Sequence, residues 1–269
     1  MSEQEAVRDF YETYGWQVGS SGSYRDAESF VDLRPVMRGF YRRRDRRVAR
    51  QLGQVGGTLL DIGCGGSPLQ VPASGSRRVC IDITASALRG ARSALGDTAA
   101  YIQADASMLP FAPGSITRVH CAHVLYHLPR RRQFRAMTEI HRVLADGGAG
   151  IVVYTRLSAP LFRLTERLRA RRNITAPDRP DLPYTPLDCD EFQQTLGERM
   201  NLELRTWAVL ENDVTKVAVP DNVFGRALLL LVSWAESLLP RRLLPLARYP
   251  MFIIRKSGPG LGKTPPTGG

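Results

Sequence analysis

Lysine is almost missing from this sequence. Among 269 residues only Lys216, Lys256 and Lys263 are lysines, so a net charge of +11 rests almost wholly on arginine. A surplus of this size ordinarily points to nucleic acid or an anionic membrane surface. The dense runs are RRRDRR at 42–47 and RRR at 130–132, and both read as solvated helix faces. Aromatic residues for base stacking are not interleaved with them, apart from Tyr41, so nucleic acid is not favoured as a partner. Cysteine is also sparse. Cys64, Cys80, Cys121 and Cys189 form no C-x-x-C pair and have no matching histidine spacing, which argues against a zinc site and for a reduced, intracellular protein. MSEQEAVRDF at the start holds no apolar core of a secretory signal, so a cytoplasmic location is expected. No apolar run is long enough to cross a bilayer. The longest, ALLLLVSWAESLLP at 227–240, contains Glu236 and falls short of the roughly 20 residues required. The stretch 226–248 still leaves open a shallow, peripheral contact with the inner face of the membrane, or burial as a cap helix.

What is present is an alternation. Strands are expected at 58–62, 78–83, 99–103, 116–122 and 149–154, with helices at 84–96 and 131–145, and this order argues for a parallel sheet covered on both faces. Before them, residues 3–14 read as a helix, GWQVGSSGSY at 15–24 as a loop, and Asp26 to Leu52 as a helix broken early by Pro35. The first crossover is too short for a full helix. Ser67 and Pro68 suit an N-cap and first turn, so about one helical turn is expected there. Beyond Arg156 come a basic helix at 158–172, a proline-rich loop at 175–186, a helix near 188–199, a strand at 202–209, an apolar helical segment at 223–248 and a last strand at 251–256. The domain division expected is an N-terminal helical lid at 1–52, a core at 53–256 with cap insertions at about 157–186 and 211–248, and a disordered tail at 257–269.

LLDIGCGGSP, at 59–68, sets the chemistry. A buried strand runs into a turn where Gly63, Gly65 and Gly66 allow close approach of a ligand. In open α/β sheets ligands bind at the carboxyl ends of the strands. Asp61 ends the first strand, and Asp82 ends the second 21 positions later, suited to a ribose diol. Asp105 ends the third, suited to an exocyclic amine such as that of adenine. A dinucleotide fingerprint would need glycine at position 68, which is Pro68, and a bound pyrophosphate would want a better helix N-terminus than this crossover offers. A phosphate-free adenosine sulfonium fits the same set.

Five stretches in order, LLDIGCGGSP, VCIDIT, YIQADASMLPF, SITRVHCAHVLYHLP and EIHRVLADGGAGIVVYT, resemble the class I S-adenosylmethionine-dependent methyltransferases, in particular the small-molecule branch with ubiquinone/menaquinone-type enzymes (methyltransferase type 11). They cover about residues 58–155. The resemblance implies a Rossmann-like α/β fold, a seven-stranded mixed sheet with helices on both faces whose last strand runs antiparallel between its neighbours. It implies S-adenosyl-L-methionine as cofactor, with Asp61, Gly63, Cys64 and Gly65 bordering the methionine part, Asp82 and Ile83 the ribose, and Asp105 and Ala106 the adenine. Ser67 and Thr117 depart from the family pattern, which has glycine and aspartate there.

On the substrate side, transfer from a sulfonium needs positioning in a water-poor cavity more than it needs an acid or metal. His127 is the candidate general base and Tyr126 the second catalytic candidate. Tyr14, Trp16 and His123 are candidate substrate contacts, Tyr11 joining the first two as an N-terminal lid, while His120 and His141 read as packing or surface residues. His123 and His127 lie four apart as in a zinc motif, but Val124 replaces the glutamate, so no metal is expected. A cap rich in leucine with Trp234 and Phe224 suits an apolar or aromatic acceptor, quinone-, polyketide- or lipid-like, methylated on oxygen or carbon. The alternatives are a tRNA or rRNA methyltransferase, or a degenerate protein that binds the cofactor without turnover.

Overall fold

The computed structural model describes residues 2–53, 56–70, 76–171 and 182–257. Seven strands form one sheet: β1 (Gly57–Ile62), β2 (Ser76–Asp82), β3 (Ala99–Gln103), β4 (Ile116–Ala122), β5 (Leu144–Val153), β6 (Asn201–Ala208) and β7 (Tyr249–Arg255). Their spatial order is β3-β2-β1-β4-β5-β7-β6. The first five are parallel to one another, and β7 is inserted antiparallel to both β5 and β6. The order reverses between β1 and β4, so the carboxyl ends of these two strands open the crevice in which ligands of such sheets bind.

Period-two alternation divides the core. Leu60, Ile62, Ile81, Val119, Cys121, Val152, Phe252 and Ile254 join Met137 and Ile140 of α5 (Arg130–Val143) and Phe192 of α7 (Cys189–Leu196) in one cluster. Leu59, Ile151, Val153, Met251 and Ile253 pack with Val48 and Leu52 of α3 (Arg38–Leu52) in another. Cys80 packs on Ala91 of α4 (Ala85–Leu95), which Thr84 caps through a bond from the Ala87 N–H. Each fully buried aliphatic side chain contributes about 1.5–3 kcal/mol against leaving it exposed.

Before the sheet, α1 (Glu3–Phe10) begins in a capping box of Ser2 and Glu5 and continues as a π-helical turn through Tyr11–Gly15. The expected helix from Asp26 to Leu52 is two helices, α2 (Arg25–Phe30) and α3, separated at Pro35 by a short 3₁₀ turn. After β5 come α6 (Pro160–Arg171), α7, then α8 (Asn212–Ala218) and α9 (Val223–Leu238). No helix among the described residues is long and apolar enough to cross a membrane.

The turn expected after Ser67 and Pro68 does not form over 66–70. Instead the Leu69 N–H donates to Asp61 Oδ2 at 3.0 Å, which binds the chain back onto the end of β1 in an irregular path. Residues 71–75, most of the proline-rich loop and the tail from 258 lie outside the described residues.

Candidate active site

Two adjoining cavities lie at the carboxyl ends of β1, β2, β3 and β4. The smaller, of about 340 Å³, is lined by Asp61, Gly63, Cys64, Gly65, Asp82, Ile83, Asp105 and Ala106, with Trp16 and Tyr24 from the N-terminal segment. The larger, of about 690 Å³, is lined by Tyr126, Tyr184, Trp207, Tyr249, Phe162, Arg44 and Arg248, among others. Tyr11, Asp26, Val31, Ser67, His123 and His127 line both. These six residues form the junction.

Geometry at the smaller cavity follows from the strand ends. Gly63 and Gly65 adopt φ of 62° and 57°, the left-handed region that glycine enters without penalty. A Cβ on Gly65 would stand 2.4 Å from the Trp16 ring, and one on Gly63 2.2 Å from Val124. Asp82 Oδ1 accepts from the Thr84 N–H and hydroxyl at 3.0 and 2.9 Å, and Oδ2 from the Gly65 N–H at 3.1 Å. Burial raises the Asp82 pKa against these bonds. Oδ2 keeps acceptor capacity for a further donor, which a ribose hydroxyl would satisfy. Asp61 holds the turn through Leu69 and meets His120 Nδ1 at 2.8 Å. His120 therefore belongs to the wall of this cavity and is more than a packing residue.

Asp105 is more heavily engaged than its strand-end position suggests. Its Oδ1 accepts from the Ser107 N–H and hydroxyl at 2.7 and 2.8 Å, and its Oδ2 from Gln4 Nε2 at 2.6 Å and Arg132 at 3.0 Å. Burial works against its charge, but these bonds outweigh it and hold the carboxyl below its usual range. An adenine amine would have to share or displace the Gln4 bond. Cys64 is an inert wall: a hydrogen bond with Cys80 and burial push its thiol up.

At the junction, His127 Nδ1 lies 2.9 Å from the Pro183 carbonyl. A carbonyl only accepts, so Nδ1 carries the proton and Nε2 the lone pair of the neutral ring. Burial lowers the His127 pKa, which favours that neutral form. The Tyr11 ring meets His127 edge-on at 6.3 Å and stacks on Trp16 at 5.4 Å. Tyr11 donates to Asp26, whose carboxyl burial pushes up to about 6. His123 has φ of 62°, rare for a residue with a side chain, and its ring sits between Trp207 and Tyr249 at 5.2 and 5.1 Å. Burial, aided by Arg44, pushes its pKa down to about 3. Tyr126 lies in the wall of the larger cavity, 4.7 Å from His127 and 5.0 Å from Tyr184 between ring centres, and burial pushes its hydroxyl pKa well up.

The candidate substrate contacts Tyr14 and Trp16 both lie outside the lining of the larger cavity. Tyr14 lines neither cavity; it packs on Phe10 at 5.3 Å under the Arg25 guanidinium. Trp16 lines the smaller cavity, against Gly65, and does not line the larger one. One helical turn separates Tyr11 from Tyr14, and it is Tyr11 that faces the junction. Sequence reasoning also missed Asp26, Arg44, Trp207, Arg248 and Tyr249, which reach the larger cavity from distant stretches. The described residues hold no cluster of acids, histidines and cysteines suited to a metal.

Residues 60–152, from β1 to β5, match the family model described as a methyltransferase domain. Over this stretch the chain carries a methyltransferase domain. A curated protein of Encephalitozoon cuniculi (strain GB-M1), named as a methyltransferase, is 38% identical over 92 residues, covering 34% of this chain and 41% of that protein. Geranyl diphosphate C-methyltransferase from Streptomyces coelicolor A3(2), solved with Mg²⁺, geranyl diphosphate and S-adenosyl-L-homocysteine, has a TM-score of 0.56 at 15% identity over 95% of this chain and 98% of its own. The Haloferax volcanii methyltransferase solved with the Trm112 activator has a TM-score of 0.54 at 16% identity, covering 82% and 92%. These solved structures share the fold. The glycine turn of the smaller cavity and the remaining acceptor capacity of Asp82 have the chemistry to receive an adenosine sulfonium.

Proposed function

We propose that this protein methylates an apolar or aromatic small molecule on oxygen or carbon, with the acceptor in the larger cavity and S-adenosylmethionine in the smaller one. When bound, the cofactor supplies an electrophilic methyl group on a sulfonium. In-line transfer then depends on holding the acceptor atom at the mouth between the cavities, away from water. Tyr126, Tyr184, Trp207 and Tyr249 supply flat, mostly apolar walls for a planar acceptor. His127 would take the proton that the acceptor oxygen or carbon gives up as its new bond to carbon forms, through Nε2. Tyr126, its hydroxyl proton retained, would act as wall and hydrogen-bond donor. The observation that carries this reading is the junction itself: the neutral His127 imidazole, positioned by the Pro183 carbonyl, lines both cavities. The N-terminal segment serves as a lid, since Gln4, Tyr11 and Trp16 all line the cofactor side.

The test is mass spectrometry of small-molecule extracts incubated with the protein and isotopically labelled methyl donor. A small, largely apolar product carrying the label, and absent with Asp82→Ala, is expected. Label appearing in tRNA or rRNA instead would overturn the acceptor class, and calorimetric binding of the donor with no labelled product in either fraction would overturn turnover.

A further inference from the structure

Helix α9 turns an apolar stripe to solvent. Its buried positions, Gly225, Leu229, Ser233 and Glu236, recur at three- and four-residue steps, and the helix packs on α3 and β6. Phe224, Leu228, Leu231, Trp234 and Leu238 are 76%, 43%, 61%, 57% and 78% exposed. At this spacing they form one face. Single exposed apolar residues are ordinary; five in one stripe mark a contact surface. Val217, one residue before the end of α8, is 87% exposed as well.

Charge around the stripe is mostly positive. On α3, packed beside α9, Arg38, Arg42, Arg46 and Arg50 are exposed at four-residue steps and so form a row. Lys216, Arg226 and Arg242 are exposed around α9 itself. None of these seven forms an ion pair among the described residues. In residues 35–52 and 212–248 the exposed carboxylate is Asp221 alone: Asp213 and Glu236 are buried, and Asp45 lines the larger cavity.

We propose that this face docks on an anionic lipid bilayer, the stripe of α9 entering the headgroup boundary and the arginine row lying over acidic headgroups. Apolar residues including Trp and Phe on one side of a helix, with arginine flanking it, are what such a surface takes up. RNA would pair with the arginines and leave the leucines wet. A second copy docked on α9 about a two-fold axis would bring two unpaired basic surfaces together. With 16 residues, α9 lies on the membrane and does not span it. Helix α8 runs from the wall of the larger cavity at Asn212 and Asp213 to Ala218, so about 10 Å of helix length leads from that cavity towards the start of α9. The inference rests on this surface and not on the methyl-transfer reading.

Co-sedimentation of the full chain with vesicles of phosphatidylcholine, with and without phosphatidylglycerol, tests it. The chain pellets at least tenfold more strongly with the anionic vesicles, and brominated lipid quenches Trp234 fluorescence. Phe224→Glu with Leu231→Glu abolishes both effects without lowering the melting temperature, because both side chains are exposed. Arg38→Gln and Arg42→Gln each weaken partitioning by about fivefold, less so in high salt. Failure to bind either vesicle, or binding that the glutamate pair leaves intact, overturns the proposal. So does a concentration-dependent dimer that the glutamate pair dissolves while vesicles are ignored.

Discussion

At the scale of single residues, the junction makes two measurable claims. If His127 is the base, its truncation should act on the chemical step. His127→Ala is expected to lower kcat on a hydroxyl acceptor by about 10²–10⁴-fold, with calorimetric affinity for S-adenosylhomocysteine kept within a few-fold. Burial lowers the His127 pKa, so its neutral form persists below pH 6.5 and the rate should stay flat down through that value. A rate that already falls with a midpoint at or above 6.5 would assign the base elsewhere. Asp26 gives a stability signal of the opposite kind. Its native carboxyl keeps a proton up to about pH 6, whereas the unfolded chain releases it near 3.8. The native state thus binds more protons in that window, and stability falls as pH rises through it, by about 3 kcal/mol for this residue. Asp26→Asn should remove that slope, so calorimetric unfolding at pH 4 and pH 7 should show the variant gaining on the wild type. Asp45, also pushed up to about 6 by burial, is unchanged in both proteins and cancels from the comparison. Parallel pH profiles would contradict the account.

Among elements, what could be read from the chain was what local pattern dictates. Strand ends fix where Asp61, Asp82 and Asp105 stand, because each lies within two residues of the carboxyl end of β1, β2 or β3 and so at the same end of the sheet. Helix α8 is only seven residues long and carries no clear apolar period, so it was absorbed into a longer insertion. The turn expected at Ser67 failed because a capping signal is weaker than a buried carboxylate that captures the Leu69 N–H. The π-helical turn at Tyr11–Gly15 shifts the register of the N-terminal segment, and Tyr11, not Tyr14, faces the junction. The turn after β1 can be tested by comparing two glycines. Gly65 has φ of 57° and a Cβ there meets Trp16, whereas Gly22 has φ of 78° and nothing within 4 Å. Gly22→Ala should cost about 1–2 kcal/mol of stability and leave cofactor affinity unchanged. Gly65→Ala should cost at least as much and also weaken S-adenosylhomocysteine binding, since Trp16 must leave its place in the cavity wall. Equal affinity for both variants would mean that the Trp16 contact plays no part in the site.

Over the whole molecule, the side of the sheet that carries α3 and α9 is held by a buried charge pair that pattern reading treated only as an interruption. Glu236 was evidence against a membrane span; in the fold its Oε2 accepts from Arg47 at 2.8 Å and its Oε1 from the Val209 N–H at 2.9 Å. Arg47 also donates to the Trp207 carbonyl at 2.5 Å, so one ion pair ties α9, α3 and the end of β6 beneath the outward apolar stripe. Both side chains are nearly inaccessible, at 6% and 0% exposure. This contact was illegible in the sequence because its partners lie 189 positions apart. A buried pair costs desolvation that its attraction only partly offsets, and removing one partner leaves a buried charge with no compensation. Glu236→Ala should therefore destabilise the protein by about 3–5 kcal/mol, while Arg47→Met combined with Glu236→Leu should lie close to the wild type. Chemical denaturation of the two variants decides the point. If the single substitution costs under about 1 kcal/mol, water or another group already satisfies Arg47, and α9 is held by Leu229 and its neighbours alone.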